Sequence, residues 1–354
     1  MKIVVCPDSF KGSLTAAQAS EAIKEGISSV CPDYHVVTLP LADGGEGTSS
    51  VIASITGGTA IVTDTINAIG ENITATYYII NRGKKKTALI DVAAASGLTL
   101  VSPQRRDVMT ASSYGTGVLI KNAYERGCRD FIIGLGGSAT CDAGTGIMEA
   151  LGPDMPAIAS DISVTLLCDV DNPLYGPKGA ANVFAPQKGA TPRQVALLDE
   201  RLRQWNIKTI LDTGRNVAGQ HGAGAAGGIG AMFMAYFNTT TKAGIDAVLD
   251  MYGFDSVIAD ADLVITGEGC IDSQTLHGKV GMGVLRRCNV HRVPVIAMGG
   301  SVEYGDLPDN AGFTAVFSIV PGIMTLEQAV DATEARRNLA ETSRQIIRII
   351  RSRL

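Results

Sequence analysis

Residues 2–13 read Lys2-Ile3-Val4-Val5-Cys6-Pro7-Asp8-Ser9-Phe10-Lys11-Gly12-Ser13. A short β-branched run halted by proline has the pattern of a buried strand, and polar residues crowd the turn behind it. Helical spacing follows at Leu14, Ala17, Ala19, Ile23 and Ile27, with Ser13 as the expected N-cap. The module then recurs: Val36 to Pro40 as a strand, Asp43-Gly44-Gly45-Glu46-Gly47-Thr48 as a loop, and an apolar helix from Ser49. Strand, loop and helix in repeated order predict a parallel sheet with ligand loops at the C-terminal ends of its strands.

Further along, the pattern changes. Ile61-Val62-Thr63 and Thr74 to Ile80 alternate, Lys84-Lys85-Lys86 marks a hairpin turn, and Thr87 to Val92 is another strand. This predicts a mixed or antiparallel sheet. Helices are expected at Gly117–Arg126, Gly144–Leu151 and Thr191–Ile210, the last with Thr191-Pro192 as N-cap and first position. Strands are expected at Asp130–Leu135 and Val164–Cys168. The strand–helix rhythm returns near residue 255, with strands at Ala261–Thr266, Val293–Met298 and Ala315–Val320 and a helix at Gly281–Arg287. A long amphipathic helix, Thr325–Arg351, closes the chain, its arginines forming a solvated face. The expected architecture is α/β. A Rossmann-like parallel-sheet domain (1–60 and 255–354) receives a mixed-sheet α/β domain (61–254) as an insertion, with a cleft between them.

Composition narrows the function classes. Among 354 residues, 41 are glycine and only 18% are charged, which favours close backbone turns over a solvated or disordered chain. The net charge of −5 argues against a nucleic-acid footprint. No apolar stretch approaches the ~18 residues of a membrane span. The seven cysteines form no C-x-x-C pair, so neither a zinc ribbon nor a disulfide framework is expected, and a cytoplasmic location is. Walker A, H-E-x-x-H and G-x-S-x-G are absent. Gly222, Gly224 and Gly227 match G-x-G-x-x-G, but Arg215 to His221 is too polar to be the strand that a nicotinamide site requires. Close packing against another backbone is the expected reason for these glycines.

The chemistry is carried by polar loops expected after strands. Asp8, Ser9, Lys11 and Ser13 lie within one turn suited to an anion. Asp43 and Glu46 stand among Gly44, Gly45 and Gly47, carboxylates of the type that Mg²⁺ takes alongside phosphate oxygens. Gly134-Leu135-Gly136-Gly137-Ser138-Ala139-Thr140-Cys141-Asp142-Ala143-Gly144 can form an N–H-lined concavity. Asp169 ends a strand, and Pro186-Gln187-Lys188-Gly189-Ala190 follows. Thr266-Gly267-Glu268-Gly269-Cys270-Ile271-Asp272, with Thr275 and Gly278-Lys279 behind it, again joins acids, glycines and a lysine. Together these loops suit phosphates plus a divalent metal, the inventory of phosphoryl transfer. A cysteine nucleophile would need an adjacent base, and His221 and His277 are remote in sequence.

These loops resemble the bacterial glycerate kinase type II family, the glycerate 2-kinases of glyoxylate and glucarate catabolism. The resemblance spans nearly the whole chain. It is carried by Pro7–Ser13, Ala42–Thr48, Gly136–Thr140, Cys168-Asp169-Val170-Asp171-Asn172-Pro173-Leu174, Pro186–Ala190, Gly222-Ala223-Gly224-Ala225-Ala226-Gly227-Gly228 and Ile265–Gly269. It implies transfer of phosphate from ATP to D-glycerate, giving 2-phosphoglycerate and ADP with Mg²⁺. On residue chemistry and this resemblance, Asp169 would accept the hydroxyl proton, with Lys11 and Asp43 as further catalytic groups. Asp8, Ser9, Gly44, Gly45, Gly136, Gly137, Ser138, Thr140, Lys188, Gly224 and Lys279 would bind substrate or nucleotide, and Glu46, Glu268 and Asp272 the metal. The chain departs from the family pattern where Cys141-Asp142-Ala143-Gly144 replaces Asn-Asp-Gly-Gly and where His221 replaces proline. It is also shorter across Gly152–Ser163. The sequence leaves open phosphorylation of the 3-hydroxyl, a non-catalytic sensor of hydroxy acid or nucleotide, and a monomer or homodimer.

Overall fold

The computed structural model describes residues 1–83, 85–272, 275 and 279–352. Lys84 of the expected hairpin turn, and His277 and Gly278, lie outside the described residues. The strands are β1 (Lys2–Val5), β2 (His35–Thr38), β3 (Thr59–Ile66), β4 (Asn72–Arg82), β5 (Lys85–Asp91) and β6 (Asp130–Gly134). They continue as β7 (Ser163–Leu167), β8 (Asn238–Lys242), β9 (Leu263–Ile271), β10 (Val295–Val302) and β11 (Ala315–Ser318). The helices used below are α1 (Ala16–Ser28), α2 (Thr48–Thr56), α3 (Pro192–Thr213) and α4 (Ala332–Arg351).

The chain forms two compact units, one of Met1–Asp43 with Ile245–Leu354 and one of Gly44–Gly244. In the first, a five-stranded sheet runs β11-β10-β9-β1-β2 with every pairing parallel. Its core joins Ile3, Val5, Leu263, Ile265 and Met298 of the strands to Ile23 and Ile27 of α1 and Leu339, Ile346 and Ile347 of α4. The two helices meet at backbone distance: a Cβ on Gly26 would stand 2.2 Å from the Ala340 carbonyl oxygen, so only glycine fits there. The arginines of α4 are more than a solvated face, because Arg336 pairs with Glu25 and Arg344 donates to Ser29 Oγ at 3.0 Å, both on or beside α1.

Three expectations are corrected in this unit. The N-cap of α1 is Thr15, not Ser13: Thr15 Oγ1 accepts from Gln18 N–H and Gln18 Oε1 accepts from Thr15 N–H, a reciprocal capping box. The C-terminal helix is interrupted at Asp331, whose Oδ1 accepts from the Thr333 and Glu334 amides at 3.0 Å each and starts α4 afresh. Thr266 to Ile271 is strand rather than loop. The glycines let the pairing continue, since a Cβ on Gly267 would meet the Met298 oxygen at 2.4 Å and one on Gly300 the Gly269 oxygen at 2.5 Å.

In the second unit a six-stranded mixed sheet runs β3-β4-β5-β6-β7-β8. β3, β4 and β5 pair antiparallel, then β5 to β8 parallel. Tyr77, Ile90, Phe131, Ile133, Leu166 and Phe233 are buried in its core. Thr191 caps α3 in a second capping box, with Pro192 in the first turn as expected. Strand β8, Asn-Thr-Thr-Thr-Lys, was not expected from the sequence, because an edge strand with a wet face carries no hydrophobic alternation.

Candidate active site

In the first unit the expected site residues collect beyond the C-terminal ends of β1 and β2 and along β9. The Asp8 amide donates to the Gly267 carbonyl at 2.8 Å and the Leu41 amide to the Pro7 carbonyl at 2.9 Å, which sets the turns after β1 and β2 beside β9. Asp8 is buried, and its carboxyl accepts the Ser9 amide at 2.6 Å. Burial first, then the neighbouring Asp43 carboxylate, pushes Asp8 up to about 7, against the pull of the Ser9 amide and Lys11. Lys279 Nζ lies 3.2 Å from Glu268 Oε2 and 3.9 Å from Asp272 Oδ1. Burial raises the Glu268 carboxyl, and Lys279 opposes the rise. Glu268 Oε1 is buried and takes no hydrogen bond among the described residues. Asp8, Asp43, Glu268, Asp272, Lys11 and Lys279 are thus brought together: Asp43 and Glu268 act on the Asp8 charge, and Glu268, Asp272 and Asp43 on that of Lys279.

In the second unit the loops cross the C-terminal ends of β5, β6 and β7, where parallel sheets bind ligands. The turn from Gly44 is seated on two strand ends. A Cβ on Gly44 would lie 3.0 Å from the Leu167 oxygen, and one on Gly136 would lie 2.5 Å from Gly45 Cα. The Gly136 amide donates to the Gly44 carbonyl at 3.1 Å. The Gly136–Thr140 loop is then pinned from two sides. Leu98 N–H donates to the Gly137 carbonyl and Ala139 N–H to the Ser96 carbonyl, each at 2.8 Å. Buried Lys188 donates to Ser138 Oγ at 2.9 Å and to the Thr140 carbonyl at 2.7 Å. Burial lowers the Lys188 ammonium to about 8. The Thr140 hydroxyl is buried without a hydrogen bond among the described residues. Asp169 follows β7 and accepts the Gly244 amide at 2.9 Å.

Two assignments acquire a different physical setting. Glu46 is exposed and meets the Thr99 hydroxyl at 3.3 Å, in the other unit from Glu268 and Asp272. Among the described residues no three His, Cys, Asp or Glu side chains are arranged to hold a metal ion. Gly224 gives its amide to the Asn172 carbonyl at 2.9 Å, and a Cβ on Gly227 would stand 2.1 Å from the Thr140 oxygen. The glycines of 222–228 therefore serve close packing, and α3, not a strand, precedes them. The loop cysteines are poor nucleophiles: burial pushes Cys141 and Cys168 up to about 11.

The family model of the Glycerate kinase family matches residues 3–157 and 153–351. The two stretches overlap at residues 153–157. The chain belongs to the glycerate kinase family. A glycerate kinase of Bacillus subtilis is 40% identical, over 98% of this chain and 97% of its own. A glycerate 2-kinase of Escherichia coli is 39% identical, over 97% and 98%. The crystal structure of a candidate glycerate kinase 2 from Salmonella typhimurium LT2 superposes with a TM-score of 0.81 at 38% identity, covering 99% of this chain and 98% of that one. As a glycerate kinase, the protein is an ATP-dependent enzyme. It contains no helix long and apolar enough to cross a membrane among its described residues.

Sequence reasoning overlooked Asp91, a carboxyl 5% exposed at the end of β5. The signal was an acid closing the apolar run Ala88-Leu89-Ile90. Burial pushes Asp91 up to about 7, with the Ser49 hydroxyl and amide and the Gly47 amide pulling down and Glu46 adding to the rise. Between the ordinary carboxyl pKa and about 7 the folded chain holds protons at Asp8 and Asp91 that the unfolded chain has released. Stability therefore falls as pH rises through that window, by on the order of 4 kcal/mol per group at most. In urea titrations at pH 5 and 7.5 without added Mg²⁺, Asp91→Asn is expected to lose part of this slope. An unchanged slope would remove Asp91 from the account.

Proposed function

We propose that the protein transfers the γ-phosphate of ATP to the 2-hydroxyl of D-glycerate. The observation that carries the reading is the glycine-lined turn system at the ends of β5–β7, which joins Gly44, Gly45, Gly136, Gly137, Ser138 and Thr140 to the ammonium of Lys188. Close backbones beside a buried cation suit phosphate. Gly224 belongs to the adjoining packing and supports these groups. Asp169 is the carboxylate for the glycerate hydroxyl proton. Lys11 and Lys279 neutralise phosphate or substrate carboxylate, with Asp8, Ser9 and Asp43 around them.

When bound, Mg²⁺ supplies charge neutralisation at the phosphates. It usually takes one or two carboxylates plus phosphate oxygens, so a cage of three acids is not required. The free Oε1 edge of buried Glu268 fits it, with Asp272 beside the same lysine and Glu46 as a further candidate. The proposed domain division is 1–60 with 255–354 against 61–254. The thiols, free at all seven cysteines, suit a reducing cytoplasm.

Incubation with ATP, Mg²⁺ and D-glycerate, followed by ³¹P NMR, is expected to show 2-phosphoglycerate and to lose that signal when EDTA is added. A 3-phosphoglycerate signal would keep the kinase and overturn the position of transfer. Binding without turnover would favour the sensor.

A further inference from the structure

We propose that Asp91 is a positioning residue for the kinase reaction, clamping the Gly44–Ser49 turn to the end of β5. The inference rests on the reading above, because the turn's part in the reaction is the one proposed there.

The geometry is specific. Helix α2 begins after Gly47, which has φ +91° and no side chain to cap the first amides. Asp91 supplies the missing cap from a distant strand. The Gly47 amide donates to Oδ2 at 2.9 Å, the Ser49 hydroxyl to Oδ2 at 2.9 Å, and the Ser49 amide to Oδ1 at 3.0 Å. Space for this carboxyl exists because β6 ends in glycine. A Cβ on Gly134 would stand 2.8 Å from Asp91 Oδ1 and 2.9 Å from the Gly44 oxygen. The same Gly44 carbonyl accepts the Gly136 amide. A shift of the clamp is therefore passed to both glycine turns, Gly44–Gly45 and Gly136–Gly137. A plain helix cap would affect folding alone, whereas a clamp on these turns also sets how substrate is held.

The test uses the full chain. In Asp91→Ala the amides of Gly47 and Ser49 are expected to exchange with solvent rapidly while Leu89 of β5 and Ile132 of β6 stay protected. Its kcat/KM should fall about a hundredfold, mainly through KM, the scale set by small misplacements of reacting groups. Asp91→Asn keeps an acceptor oxygen and should recover to within about tenfold of wild type, which a loss of folding would not explain. If Asp91→Ala does not fold, Ser49→Ala decides, because it removes the hydroxyl that donates to Asp91. Faster exchange at Gly47 with a raised KM supports the clamp; wild-type exchange and kinetics overturn it. A folded Asp91→Ala protein with wild-type kcat/KM and protected Gly47 and Ser49 amides also overturns it. Should wild type itself not phosphorylate glycerate, the kinase reading fails, and the exchange measurement still decides whether the clamp exists.

Discussion

Asp169→Asn is expected to fold as wild type and to lose about a thousandfold in kcat, with little change in KM. Asn has the size and shape of Asp, and its carbonyl can keep the bond from the Gly244 amide that now ends at Oδ1, 2.9 Å away. The backbone beside it is also fixed, through the Cys168 amide on the Lys242 carbonyl at 3.0 Å. Position is therefore conserved while the capacity to take a proton is removed. Phosphoryl transfer demands little covalent chemistry, but the attacking hydroxyl must shed its proton, and a positioned base contributes about 10²–10⁴ in rate. Steady-state kinetics beside a thermal melt provide the check. Full turnover at an unchanged melting temperature would exclude Asp169 as the base. A fall in kcat/KM confined to KM would make it a binding group.

The alternation of strand, polar loop and helix was legible because apolar periodicity and proline stops act locally. Lys2–Cys6 and Asp130–Leu135 show this, lying where β1 and β6 lie. What was hidden depends on partners distant in sequence. Asp91 reads as an ordinary acid until β5 is placed next to β6 and its glycine end. Lys188 reads as a residue that binds substrate or nucleotide, and nothing local shows that the fold buries it against Ser138 and Thr140. Glu268 reads as a loop acid, because nothing local announces that Gly299 of β10 stands opposite it and lets the pairing run on. The capping boxes at Thr15 and Thr191 are equally regular, yet Ser13 two residues upstream competes for the first in sequence. Only the Gln18 side chain returning to the Thr15 amide settles it.

Removing the ammonium of Lys279 is expected to cost more at high pH than at low pH. Glu268 is 7% exposed, and its carboxyl is raised by burial and held down by Lys279 at 3.2 Å. In Lys279→Ala that restraint is gone, so the Glu268 carboxyl rises further and holds its proton to higher pH. Below its new pKa the group is neutral and the loss of stability is small. Above it, an uncompensated buried charge remains near Asp8 and Asp43, which costs about 3–5 kcal/mol in comparable broken pairs. Turnover should fall by a factor on the order of 10³, since a cation aimed at phosphate or carboxylate is lost together with the placement of Glu268 and Asp272. The acid limb of the pH–rate profile should move upward. Lys279→Arg returns the charge but not the compact ammonium, so it should recover stability more than rate. Urea titrations at pH 5 and 8 with kcat/KM across the same range test this. Equal destabilisation at both pH values would show that Lys279 acts through packing, and wild-type turnover in Lys279→Ala would place the phosphate-neutralising charge elsewhere, with Lys11 as the remaining cation of that cluster.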